Sequence, residues 1–209
     1  MNKPKLALVL TILSYLWIMV TVAIAGANFP DYSHISQFMS ELGAADSPFP
    51  NLVNFGSFFA AALILLGALA LVFSSLPRSL PGTVGLAILA LYPLLVIVAS
   101  FFPCDAACRP ATPSTSHIIH MTSALLAYLS AIIGMAILSL HARKWLGKSL
   151  LTPLGLIMPV ILLVLLANLM PDNPRVGLIQ RLFETLVYGW LVFYVVTLIA
   201  PPKSDVARH

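Results

Sequence analysis

The sequence predicts an all-α fold: a polytopic integral membrane bundle of six transmembrane helices with one extracytoplasmic interfacial helix. Three observations predict it. Of the 209 residues, 60% are hydrophobic and only 9% charged, whereas a soluble domain carries roughly a quarter charged residues. Mean hydropathy is +0.99. The apolar residues are gathered into six runs, each near the ~20 residues that a helix needs to cross a bilayer core. This composition excludes a water-soluble globular fold. It also excludes disorder, which needs few apolar residues and many charges. The connections are short, so the chain 1–209 is expected to form a single six-span membrane domain.

The spans are expected at about 6–26, 52–76, 82–102, 117–140, 150–170 and 178–200. The first follows Lys3 and Lys5 and carries Ala23-Ile24-Ala25, a pattern shared with cleaved signal peptides. Its apolar core is longer than the roughly 7–15 residues of such peptides, which favours an uncleaved span. Orientation follows from the basic residues. Lys3, Lys5, Arg78, Arg143, Lys144, Lys148, Lys203 and Arg208 fall on one side, eight in all, against three on the other, Arg109, Arg175 and Arg181. The excess marks the cytoplasmic side and puts both termini there. Asp31, Glu41, Asp46, Asp105 and Asp172 all fall outside. The net charge of +4 and the pI of about 9.3 thus reflect topology, and no basic run is long enough to argue for nucleic acid.

Each odd-numbered span ends in proline followed closely by aspartate, at Pro30-Asp31, Pro103-Cys104-Asp105 and Pro171-Asp172. Turn chemistry accounts for this: proline stops a helix and Asp accepts N–H groups where the next one starts. Three related helical hairpins are the alternative. The last nine residues, Pro201–His209, suit a short disordered tail.

In the first outer loop, Asp31–Gly43 has an Asp at one end and a Gly at the other, the cap and stop of a helix. Ile35, Phe38, Met39 and Leu42 follow helical spacing, with His34, Gln37 and Glu41 opposite. This pattern predicts an interfacial amphipathic helix, lying on the membrane surface or folded over the helix ends as a lid.

Polar groups inside a span are costly and usually face the bundle interior or a cavity. Here they gather in the outer half: Asn54 in span two, His117 and His120 in span four, Asn168 in span five, Arg181 and Glu184 in span six. Ser116, His120, Ser123, Ala127, Ser130 and Gly134 share one stripe of span four. Small residues on a stripe mean close helix packing, so His120 should point inward. Arg181 and Glu184 stand at i,i+3 and are expected to pair, either as a structural ion pair or as a guanidinium poised for an anionic group. His34, His117, His120, Asp105 and Glu41 have zinc-ligand chemistry. However, His117-x-x-His120 lacks the Glu of a His-Glu-x-x-His site, and no metal or other cofactor is assigned. Cys104 and Cys108 face outside, where a disulfide closing the loop is the default; a thiol metal site or a redox-active pair is the alternative.

Ser40-Glu41-Leu42-Gly43, Phe102-Pro103-Cys104-Asp105-x-x-Cys108, His117/His120 and Gly177-x-x-Gln180-Arg181-x-x-Glu184 together resemble a bacterial six-span membrane family catalogued only as a domain of unknown function, number nine-nine-eight. The resemblance covers nearly the whole chain. It implies six helices and, the family being bacterial, the inner membrane; it implies no activity.

The expected function is an outward-facing pocket in the outer leaflet half that acts on a lipid or a small amphiphile. His120 would be the acid/base, or a metal ligand, with Arg181 as anion clamp and Asp105 or Glu41 as partner carboxylate. Arg181, Glu184, His117, His34, Asn54 and Asn168 would bind the ligand. A binding or transport protein, or a structural or regulatory membrane subunit, is the alternative. A transporter should also carry polar groups across the midplane and inner half, and this chain has few there. Membrane lipids are the expected partners, and oligomeric state is left open. A reporter active only outside the cytoplasm should give signal when fused near Ser114 and none near Lys148. The reverse pattern would overturn the orientation.

Overall fold

The computed structural model describes residues 2–76, 78–146 and 151–199. Lys148, Leu150, Ala200, and the tail Pro201–His209 with Lys203 and Arg208, lie outside the described residues. Among the described residues the fold has six apolar helices: α1 (Lys3–Ala27), α2 (Leu52–Phe73), α3 (Leu80–Phe101), α4 (Thr115–Leu146), α5 (Leu151–Ala167) and α6 (Val176–Ile199). Among the described residues there is no strand. Five of the helices are long and apolar enough to cross a membrane, and α5, described over 17 residues, is shorter.

The helix starts are written locally. The Asn2 side chain accepts the Lys5 N–H at 3.1 Å, with Pro4 in the first turn. Ser79 does the same for Gly82 at 3.2 Å, ahead of Pro81. In each case the cap fills one of the orphan donors of a first turn and proline needs none. The first eight residues of α2, Leu52–Phe59, form a π-helix before the chain tightens into an α-helix at Ala60. Its wider winding leaves the Gly56 carbonyl to accept the Trp17 indole N–H at 2.7 Å.

The bundle is apolar on its outside, and its interior carries polar side chains among apolar ones. Leu16, Val20, Ile24, Ile118, Ile157, Val160 and Val164 all stand out from it, each at least half exposed. Ser14, Asn54, Ser57, Ser100, His120, Ser123, Ser130, Ser139 and Glu184 are buried. Water would favour the reverse arrangement. A bilayer imposes this one, because lipid can hydrogen-bond to nothing. The chain is a multi-pass membrane protein.

The small-residue stripe of α4 does what its spacing predicts. Ala127, Ser130 and Gly134 are buried, and α3 packs against them. At Gly134 the backbone of Leu89 comes so close that a Cβ would lie 2.7 Å from the Leu89 nitrogen.

The interfacial helix expected over Asp31–Gly43 is not there. Residues 31–38 form turns, and only Met39–Gly43 makes a short 3-10 helix. Asp31 is no cap: its backbone is left-handed, at φ 59°. The physical reason is competition for the backbone. Carbonyls of His34, Ile35 and Gln37, which a helix would pair internally, accept from α6 instead. Glu41 points inward and is 2% exposed, while Ile35, assigned to the apolar stripe, is 56% exposed.

Gly134 and Gly189 test the packing. Nothing lies within 4 Å of a Cβ at Gly189. Gly134→Ala should cost on the order of 1–3 kcal/mol through overpacking. Gly189→Ala should be neutral or slightly stabilising. Thermal unfolding of the two variants in detergent checks the contrast.

Candidate functional site: a roofed polar cavity

All the long loops meet at one end of the bundle. There residues 28–50 fold over the helix ends as a roof, stitched to the Cys104–Cys108 loop. The Ala45 N–H donates to the Cys104 carbonyl at 3.0 Å, the Ala107 N–H to Asp46 Oδ1 at 3.1 Å, and Arg109 to the Ser36 carbonyl at 3.1 Å. Cys104 and Cys108 are disulfide-bonded, with Cα atoms 5.1 Å apart, within the usual range. Glu41 closes the stitching from inside. Its carboxylate accepts the Phe38 N–H at 2.9 Å and the Gln37 amide at 3.0 Å, and Arg109 lies 3.6 Å away.

Arg181 nails the roof to α6. One guanidinium nitrogen donates to the carbonyls of His34 (2.8 Å), Gly177 (2.9 Å) and Gln37 (3.4 Å). The other donates to the Tyr32 hydroxyl and to His34 Nδ1, both at 2.8 Å. The Leu178 N–H adds a bond to the Ile35 carbonyl at 3.0 Å. The close approach requires Gly177, where any Cβ would collide with the Gln37 carbonyl.

The expected Arg181–Glu184 pair does not form. The two share a face, but they satisfy themselves in opposite directions. Arginine is long and reaches the polar end of its helix. Glutamate is short and must be satisfied at its own depth. Glu184, 6% exposed, accepts hydrogen bonds from the Tyr128 hydroxyl at 3.0 Å and from the Tyr92 hydroxyl. Gln180 extends the network, donating to the Tyr128 oxygen at 3.0 Å and accepting the Met39 N–H of the roof at 2.7 Å. Tyr188, one turn below Glu184, bonds to Ser14 at 2.7 Å.

These groups surround a cavity of ≈ 70 Å³, lined by Tyr92, Tyr128, Gln180, Glu184, Tyr188, His120, Ser40, Ser100 and apolar side chains that include Pro93 of α3. His120 Nδ1 lies 2.9 Å from the Phe102 carbonyl and 3.1 Å from that of Ala99. Two acceptors on one nitrogen require that nitrogen to carry the proton, which leaves Nε2 of the neutral ring with a free lone pair. A second, larger groove of ≈ 420 Å³ runs between α4 and the end of α5. It shares Ser40, His120, Ala124, Tyr128 and Gln180 with the cavity. Leu125 and Met170, among its lining residues, are 48% and 55% exposed. The groove therefore shares a wall with the cavity on one side and borders the apolar flank of the bundle on the other.

Of the residues expected to form the site, His120 and Glu184 line the cavity and the rest do other work. Asp105 sits in the loop, where the Ser114 hydroxyl and N–H, at 2.6 and 2.8 Å, hold its carboxyl below the usual range. His117 Nδ1 accepts the Asp105 N–H at 3.3 Å. Asn54 donates to the Gly43 carbonyl at 2.8 Å and steadies the roof. Asn168 donates to the Val164 carbonyl within its own helix. Among the described residues no three of His, Cys, Asp and Glu gather as a metal site would require. Sequence reasoning missed Tyr92, Tyr128, Gln180 and Tyr188 as site residues. A signal for the tyrosines was present: each is a hydroxyl deep in an apolar span, which has to find a partner inside the bundle.

The fold defines a helical membrane protein, and Glu184 lies on the lining of a cavity beneath the roof. The model of the family described as "Protein of unknown function (DUF998)" matches residues 12–197, and the chain belongs to that family. No curated protein and no solved structure matches it.

His34 makes the roof sensitive to acid. Burial, and then the Arg181 charge, lower its pKa from the ordinary 6.5, because Nδ1 must stay unprotonated to accept from Arg181. A group whose folded pKa is depressed contributes stability that is complete above the unfolded value and is lost as pH falls through the folded one. Below about pH 6.5 the His34–Arg181 bond should therefore weaken. Hydrogen exchange of residues 32–38, corrected for intrinsic rate, should be faster at pH 5 than at pH 7, and the difference should vanish in His34→Ala.

Proposed function

We propose that the protein binds a lipid or a small amphiphile, with the polar head in the cavity and the tail in the groove between α4 and α5. The observation that carries this is that the two spaces have lining residues in common, Ser40, His120, Ala124, Tyr128 and Gln180, and the proposed binding mode joins them through that shared wall. A soluble solute would need entry from the end of the bundle, where the roof lies. An amphiphile needs entry from the flank, where the apolar rim lies. The cavity belongs to the outer leaflet half if the basic-residue asymmetry sets the orientation, with both termini cytoplasmic and α5 as a sixth span, in a bacterial inner membrane. His120 Nε2 is the acid/base candidate of the site. Asp105 and Glu41 do not line the cavity, so the partner carboxylate in this proposal is Glu184.

The test is photo-crosslinking in nanodiscs with a long-chain alcohol carrying a mid-chain diazirine. Labels should concentrate on groove residues such as Met121, Leu125 and Leu169. Ala124→Trp, which fills the passage, should abolish that concentration. Labelling spread evenly over all apolar flanks, unchanged by Ala124→Trp, would end the proposal.

A further inference from the structure

Building on that binding mode, we infer that the cavity selects an amphiphile whose head is an ammonium group. The argument is a count of donors and acceptors. Tyr92 and Tyr128 spend their hydroxyl protons on Glu184. Ser14 donates to the Ala61 carbonyl at 2.7 Å, so the proton between Ser14 and Tyr188 comes from Tyr188. Ser100 donates to the Val96 carbonyl at 2.9 Å, and His120 Nδ1–H to carbonyls of the α3 end. Of the Gln180 amide, one N–H goes to Tyr128. Two donors remain: the second Gln180 N–H, and the Ser40 hydroxyl, whose contact is the Cys108 sulfur at 3.6 Å.

The free acceptor capacity is larger. A carboxylate has about four lone-pair sites, and Glu184 has one bond on each oxygen. His120 Nε2 has its lone pair free. Glu184 also has no cation: the salt bridge found among the described residues joins Arg109 to Glu41, and Arg181 is committed to the roof. A carboxylate away from water is costly unless a positive charge or strong donors offset it. An ammonium offers three donors, no acceptor and the missing charge. It fits: one water needs ~10–15 Å³ of such space, an ammonium about as much, and the cavity has ≈ 70 Å³. Tyrosine rings on the lining add cation–π attraction. A phosphate or carboxylate head would face acceptors and a like charge.

The experiment uses the full-length protein in neutral phosphatidylcholine nanodiscs with three long-chain diazirine probes that differ only in head group: primary amine, alcohol and phosphate monoester. Groove labelling is normalised to labelling of the α1 flank, at Leu16 and Val20. In wild-type protein the amine should exceed the alcohol by about tenfold, the worth of one charge-assisted hydrogen bond, and the phosphate should label least. Glu184→Gln should bring the amine down to the alcohol. Should Glu184→Gln not fold, an amine probe with its diazirine beside the head should label Tyr188 or Ser100 in wild-type protein; absence of that label overturns the inference. Equal amine and alcohol labelling, a preference for phosphate, or an amine preference that survives Glu184→Gln also overturns it, while leaving amphiphile binding intact. If no probe favours the groove, the binding mode itself fails, and the head-group inference with it. A short-chain soluble amine should not compete; if it does so at equal concentration, the site belongs to soluble amines and the amphiphile assignment falls.

Discussion

A carboxylate inside an apolar bundle has to be satisfied at the depth where it sits, and much of this architecture follows from how Glu184 meets that demand. Its partners come from two other helices, Tyr92 of α3 and Tyr128 of α4. The network therefore fixes the rotation of three helices about one point. Apolar packing between membrane helices specifies rotation weakly, since lipid tails are as apolar as the side chains they replace. A hydrogen-bonded carboxylate specifies it strongly, because turning any one helix strands a polar group where water cannot reach. The tyrosines meet the carboxylate through their hydroxyls, and all three side chains line the cavity.

One turn away the same helix presents the opposite solution. Arg181 reaches the polar end of the bundle and gathers the backbone carbonyls of His34, Gln37 and Gly177. It thereby holds a non-helical segment in place at the polar end of the bundle. The Cys104–Cys108 disulfide, Glu41, Asn54 and Asn168 contribute to order around the loops and helix ends rather than to the cavity. Function and scaffolding are thus divided by depth. The end of the bundle carries a dense set of polar contacts that closes it, and the layer beneath carries the groups left with unused bonding capacity.

That division explains why the cavity is chemically lopsided. Donors are scarce there because Arg181 and Arg109 are committed to the roof above it. The free capacity is mainly acceptor capacity, on Glu184 and His120, and the neighbouring groove is lined by hydrophobic side chains of α4 and of the chain around the end of α5.

The amino-acid sequence by itself determined the class, the helices and the packing face of α4. Runs of apolar residues need no tertiary partner to declare a span, and small residues at helical spacing declare close approach wherever they occur. It also determined that polar groups would gather at one end and that the two cysteines were within reach of each other. Only the tertiary structure decided which of those groups meet. Asp31–Gly43 has the periodicity of a helix, yet α6 takes its carbonyls. Arg181 and Glu184 have the spacing of a pair, yet a long side chain and a short one find different depths. Tyr92 and Tyr128 are 36 residues apart and carry no shared motif; only the packing of α3 on α4 puts both hydroxyls on one carboxylate. Periodicity records which face of a helix a residue occupies. It does not record which neighbour stands opposite, and in this protein the opposite neighbour is what makes the site.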